Sequence, residues 1–176
     1  YFMMKDYKEA IKYGEGVYGK LEGDIKLKGA RILSQSYYEL DQPKEAKKYL
    51  EIYSSQSDHL SRRDNFYAGV VSYSLGSYYA AIDAFSKVTD QKDSLSQYGY
   101  LYLGNCYLEI KNKLNALGAF KEAAELDYDP TVREEASFLY AKLAFDLNSN
   151  IVPFSDYMKK YPSSGKGDEI NSYIAT

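Results

Sequence analysis

Lys111-Asn112-Lys113-Leu114-Asn115-Ala116-Leu117-Gly118-Ala119-Phe120-Lys121-Glu122-Ala123 repeats, 35 residues on, the design of Leu75-Gly76-Ser77-Tyr78-Tyr79-Ala80-Ala81-Ile82-Asp83-Ala84-Phe85-Ser86-Lys87-Val88. In each run an alanine, Ala81 or Ala116, is followed by an apolar neighbour and, four residues on, by a phenylalanine. Ala46 stands another 35 residues upstream in similar surroundings. Self-similarity at a period of roughly 20–50 residues marks an array, in which each unit buries its apolar face only against its neighbours.

Working outward, a second small residue precedes each alanine by twelve positions: Ser34 before Ala46, Gly69 before Ala81 and Gly104 before Ala116. Helix axes approach to about 8–10 Å only where Gly, Ala or Ser occupies the crossing. Two small crossings per unit therefore predict a helical hairpin. Asp41-Gln42-Pro43 predicts a turn, because proline suits the first turn of the helix that follows.

The third unit reads Tyr100-x-x-Leu103-Gly104-x-x-Tyr107, then Ala116, Phe120 and Ala123, then Asp127 and Pro130. This closely resembles the tetratricopeptide repeat (TPR) pattern. It departs from it where Tyr100 replaces the usual Trp, where Lys111 replaces the common turn glycine, and where Tyr128 stands two residues early in place of the proline. The second unit keeps Gly69, Gly76, Tyr78, Ala81, Ile82 and Phe85 but has Ser72 beside Tyr73 where a tyrosine is typical; the first retains Leu33, Tyr37, Ala46 and Leu50. The resemblance implies an all-α fold, a right-handed superhelical solenoid of antiparallel helix pairs.

Repeats are expected over 27–61, 62–96 and 97–130, within a single solenoid segment covering 1–176. Thr131 to Leu147 carries a good helix pattern, but Asn148-Ser149-Asn150 and Pro153 follow without a small crossing on schedule, so 131–162 is read as an irregular repeat. Lys5-Asp6-Tyr7-Lys8-Glu9-Ala10-Ile11 resembles the start of a second helix, with Ala10 lying 36 residues before Ala46, and predicts a partial repeat over 1–21. Asp168 to Ala175 predicts the first helix of another partial repeat, 165–176. Helices that short are marginal alone, so the segment is expected to belong to a longer protein. Tyr161-Pro162-Ser163-Ser164 is similar to endings in TPR-like proteins of the bacterial envelope. That similarity favours a periplasmic or cell-envelope location over a cytoplasmic one.

Hydrophobic residues make up 45% of the 176, with four prolines, which suits an all-helical chain with a sizeable core. No run approaches the roughly 18 apolar residues of a membrane span, so no direct membrane insertion is expected. A net charge of −3 with mixed signs leaves no electrostatic footprint for nucleic acid. The single cysteine, Cys106, cannot form an internal disulfide and is expected to be a buried thiol. The compositional oddity is 21 tyrosines and no tryptophan. Tyr37, Tyr100 and Tyr107 fit helix–helix seams, with the hydroxyl at the edge; others fit a binding groove.

The resemblance also implies a groove, because exposed TPR positions fall one, four, eight and eleven residues from the start of the first helix of each unit. Carried over in phase, these are Lys28, Arg31, Gln35 and Tyr38, then Arg63, Phe66, Val70 and Tyr73, then Tyr98, Leu101, Asn105 and Leu108. The surface is basic and polar at one end and apolar–aromatic toward the other, which suits a partner protein presenting an extended peptide or an amphipathic helix. The competing reading makes Phe66, Val70, Leu101 and Leu108 packing residues. The chaperone-tail clamp of some TPR proteins is absent: Arg31 occupies one of its positions, but Gln35, Tyr67, Tyr98 and Tyr102 occupy others.

Enzyme chemistry finds no residues to carry it, and no cofactor or metal is expected. His59 is the only histidine and follows Ser54-Ser55-Gln56-Ser57-Asp58, where a solvated linker residue is expected. Without a second histidine or cysteine, ordinary zinc sites and Cys/His nucleophilic pairs cannot be built. Glu134-Glu135 and the Asp127/Asp129 couple read as helix-end caps. The reading is a non-enzymatic interaction scaffold; the alternatives are an assembly or oligomerisation element in the bacterial envelope, self-association through cut repeat ends, and a catalytic domain outside this segment.

Overall fold

The structure is a computed structural model that describes residues 6–56 and 60–175. Among these it contains ten α-helices and no strand: α1 (Tyr7–Tyr18), α2 (Gly23–Glu39), α3 (Pro43–Gln56), α4 (Arg62–Ser74), α5 (Tyr78–Ser86), α6 (Ser94–Glu109), α7 (Lys113–Glu125), α8 (Pro130–Asn148), α9 (Val152–Lys160) and α10 (Gly167–Ile174). Two compact units divide at Ala84 and Phe85. In the first, α1 packs on α2, α2 on α3 and α3 on α4; in the second, α6 packs on α7, α7 on α8, α6 on α8, and α8 on α9.

The helix starts follow from side-chain chemistry, since the first amides of a helix have no partner within it. Asp6 accepts from the Glu9 amide at 3.2 Å, Asp93 from Ser96 at 2.8 Å and Asn112 from Asn115 at 3.2 Å. Ser61 and Asp64 cap α4 reciprocally. Pro43 and Pro130 open α3 and α8, where a missing amide hydrogen costs nothing.

Three hairpin turns share one geometry at the 35-residue spacing. Asp41, Gly76 and Lys111 all adopt a left-handed backbone, with φ of 58°, 70° and 60°. The amide after each reaches back over the helix end: Gln42 to the Tyr37 carbonyl, Ser77 to Ser72 and Asn112 to Tyr107, at 2.9, 2.9 and 2.8 Å. This double-bonded αL stop is the usual helix end for glycine. Lys111 therefore takes up the conformation of the glycine it replaces.

The small residues sit where two helices meet. The Ser34 hydroxyl donates to the Ala46 carbonyl at 2.7 Å. A Cβ on Gly104 would lie 2.4 Å from the Phe120 ring, so only glycine admits that ring. Ala46, Ala81 and Ala116 are fully buried. The first core gathers Ala30, Leu33, Tyr37, Ala46, Tyr49, Leu50 and Val71; the second unit has one core around Leu101, Phe120 and Ala136 and another around Phe138, Phe154, Tyr157 and Ile170. Ile170 anchors α10, which occupies the stretch where a short helix was expected. Lys5 and His59, on which two sequence expectations rest, lie outside the described residues.

Candidate protein-binding faces

In the first unit, α2 and α4 are laced together along the positions expected to line a groove. Arg31 Nε lies 2.8 Å from Asp64 Oδ1, the Tyr67 hydroxyl donates to the Ser34 carbonyl at 2.8 Å, and Tyr38 meets Tyr67 edge to face at 5.5 Å. Burial drives the Tyr67 phenol far above its ordinary value, so it is a neutral donor at every physiological pH. Asp64 is buried and also accepts from the Ser61 hydroxyl at 2.6 Å and from Tyr53 of α3 at 3.1 Å. A buried carboxylate is tolerated only with such partners. Arg31 thus does structural work, though 47% of its side chain remains exposed.

Around this seam Lys28 and Arg63 are exposed and Gln35, Tyr38 and Phe66 half-buried, while Val70 is buried. Lys28, Arg31 and Gln35 share a helix face by their spacing of three and four, as do Arg63, Phe66 and Val70. Tyr73 is half-buried and meets Tyr78 edge-on at 5.8 Å. The face is therefore a basic and amide-bearing rim around partly covered rings, with Val70 beneath it.

On α6 in the second unit, Leu101 is buried, and Leu108 is half-buried against the core that holds Ala116 and Phe120. Asn105 is half-buried. Tyr98 donates to Asp129 Oδ2 at 2.6 Å, and its neighbour Gln97 is fully buried. Gln97 Nε2 donates to the Leu126 carbonyl at 2.7 Å, and its Oε1 accepts from the Asp129 amide at 2.7 Å. The start of α6 thereby ties down the turn between α7 and α8. Asp129 also caps α8 through the Thr131 and Val132 amides. The Tyr98 bond first, and these amides with it, hold the Asp129 carboxyl below its usual value; that same bond raises the Tyr98 phenol.

Sequence reading passed over Asp64, Gln97 and Glu15, which accepts from both Tyr37 and Tyr49. Only Asp64 carried a visible signal, the Ser61-x-x-Asp64 capping spacing. Tyrosine-to-carboxylate bonds recur, with Tyr157 donating to Glu134 at 3.0 Å and Tyr173 to Asp146. Many of the 21 tyrosines thus place a ring in a seam and a hydroxyl on a neighbouring helix. Asp127 pairs with Arg133 at 2.5 Å.

Cys106 is fully buried, and desolvation pushes its thiol up to about 12, so it is not a thiolate at neutral pH. Among the described residues no three His, Cys, Asp or Glu side chains converge as a metal site requires, and no helix is long and apolar enough to cross a membrane.

No protein-family model matches the sequence, and no curated protein matches it. Two crystal structures of a Podosopora anserina protein, described as a kinesin light chain with nearly identical TPR-like repeats, do match in three dimensions. The fold is TPR-like. One aligns with a TM-score of 0.67 at 13% identity over 93% of this chain and 88% of that one; the other aligns with 0.66 at 13% over 90% and 89%. The all-α arrangement of helix pairs agrees with the sequence expectation. These structures lend no support to the likeness to bacterial envelope proteins.

Proposed function

We propose that this chain is a protein-interaction scaffold whose first-in-pair helices dock an extended peptide or amphipathic helix of a partner protein. Its modules are the repeats over 27–61, 62–96 and 97–130, the irregular unit over 131–162, and the partial units over 1–21 and 165–176. The observation that carries the reading is the α2/α4 face, where Lys28, Gln35 and Arg63 stand around Tyr38 and Phe66 on a frame fixed by the Arg31–Asp64 pair. Rigid helical frames with exposed amide and cationic side chains bind backbone and side-chain acceptors at low ordering cost. On α6, Asn105 and the edge of Tyr98 offer the second unit's contacts, with Leu101 as the floor beneath them.

The test is affinity capture from a native lysate with the chain as bait beside a Lys28→Glu/Arg63→Glu variant. Both side chains are exposed, so circular dichroism and the thermal midpoint should not change. A protein held by the unaltered chain and released by the variant supports the reading. Capture of the same set by both would exclude the α2/α4 face.

A further inference from the structure

We propose that one side of the α1/α2 pair binds a single amphipathic helix of a partner protein, seated on α1 and α2 as α2 is seated on α3 and α4. Three aliphatic side chains lie open there: Val17 is 47% exposed, Ile25 65% and Ile32 39%. Gly14 faces Leu33 and Gly29 faces Tyr18, so the two helices run antiparallel. Ile25 and Ile32 stand two turns apart on one face of α2, and helix handedness turns Val17 of α1 to the same side of the pair.

The repeat defines what belongs on that side. Val17 stands seven residues after Ala10, as Val88 and Ala123 stand after Ala81 and Ala116, and both of those are fully buried. Ile32 precedes Ser34 by two residues, as Tyr67 precedes Gly69, and Tyr67 is half-buried. Ile25 precedes Ser34 by nine, as Leu60 precedes Gly69 and Leu95 precedes Gly104, and both leucines are half-buried. The cover at these later positions comes from a first-in-pair helix. Gln97 of α6 donates to the Ala123 carbonyl at 3.3 Å, and the Tyr67 ring meets Ser34 and Tyr38 of α2. The α1/α2 side therefore continues an interface the fold already uses.

The same comparison selects the occupant. A first-in-pair helix presents an apolar residue, a small residue and, three positions on, a tyrosine: Leu33, Ser34 and Tyr37 in α2, and Leu103, Gly104 and Tyr107 in α6. The small residue lets the axes approach, and the ring fills the seam, as Tyr37 does by stacking on Tyr49 at 5.8 Å. Ile32, unlike Tyr67, brings no hydroxyl, so the ligand meets it through apolar surface alone. A second copy of this chain has no such helix face to give. Leu33 and Tyr37 are held in the first core, Phe120 fills the space beside Gly104, and Ile170 and Tyr173 of α10 pack in the last core. An amphipathic helix laid by its apolar face on an apolar edge is an established mode of recognition.

The probe is a synthetic peptide with the sequence of Gly23–Glu39, added to the isotopically labelled chain and followed through backbone amide shifts. The expected result is saturable change confined to α1 and the Ile25 and Ile32 side of α2. Val17→Lys and Ile32→Lys alter exposed positions, so circular dichroism should not change, and each should weaken binding about tenfold through lost apolar burial. The same peptide carrying Ser34→Leu should bind about tenfold more weakly, because the bulk holds the axes apart. The proposal is overturned if no amide moves, if both lysine variants bind as the parent does, or if the Ser34→Leu peptide binds equally well. A concentration-dependent dimer of the chain alone that Val17→Lys abolishes would also overturn it, giving this side to a second copy. Shifts at Arg63 and Phe66 instead would overturn it in favour of the α2/α4 face, so the two readings fail separately.

Discussion

The hydroxyl of Ser34 on α2 donates to the carbonyl of Ala46 on α3 across 2.7 Å, so the two small residues of the first hairpin are joined by a buried hydrogen bond as well as by close approach. Ser34→Ala keeps the size and removes the bond, which predicts a loss of about 1 kcal/mol. Ser34→Leu adds bulk at a full crossing and should cost about 1–3 kcal/mol. Urea denaturation of the two variants separates hydrogen bonding from packing; an unchanged Ser34→Ala beside a destabilised Ser34→Leu would mean that packing alone matters.

The second unit solves the same crossing with glycine. Gly104→Ala would put a methyl 2.4 Å from the Phe120 ring, and a loss of about 1–3 kcal/mol is expected. Phe120→Leu in the same chain should cancel part of that loss, since it vacates the space. A double-mutant cycle with no coupling between the two positions would exclude the contact as the cause.

Lys111 adopts the left-handed turn conformation that Gly76 adopts 35 residues earlier. A side chain at such a φ costs roughly 1–2 kcal/mol, offset in part by the greater chain entropy that glycine loses on folding. Lys111→Gly is therefore predicted to stabilise by about 0.5–1 kcal/mol, and Gly76→Lys to destabilise by a similar amount. Thermal and urea midpoints read both; a destabilised Lys111→Gly would refute the argument.

Gln97 satisfies the Leu126 carbonyl and the Asp129 amide from a fully buried position. Gln97→Leu is nearly isosteric yet leaves both backbone groups unpaired, at about 1–3 kcal/mol each. Amide hydrogen exchange should speed up first at Asp129. Unchanged protection there would show that the turn stands without Gln97.

The pH dependence follows from two shifts of opposite kind. Asp129 lies below its usual 3.8 in the folded chain, mainly through Tyr98, so its contribution is present above about 3.8 and fades as pH falls through the lower folded value. Tyr49 is raised from 10.0 to about 12 by burial first and by Glu15 next, so its contribution is complete below 10.0 and fades as pH rises through about 12. Asp129→Asn should lose stability at neutral pH and converge with the parent in acid. Phenolate absorbance should show Tyr49 ionising above the exposed tyrosines together with Tyr173, and Tyr49→Phe should lower the amplitude of that late step by one phenolate.

The sequence alone determined the helix-pair design. Ala46, Ala81 and Ala116, their partners twelve residues earlier, and Leu33, Tyr37 and Leu50 were legible because helix periodicity and close crossings are written in local spacing, and the structure buries Leu33, Tyr37, Leu50 and the three alanines. The expected site residues were legible only as helix positions. Which of them face water was decided by the helices stacked against them: Val70 and Leu101 are buried, Arg31 is drawn onto Asp64, and Tyr98 onto Asp129. Gln97 and Glu15 left no mark in the sequence, because their partners are reached only across packed helices, 22 to 34 residues away. A buried polar atom takes whatever partner the packing brings within about 3 Å, and no local pattern carries that distance.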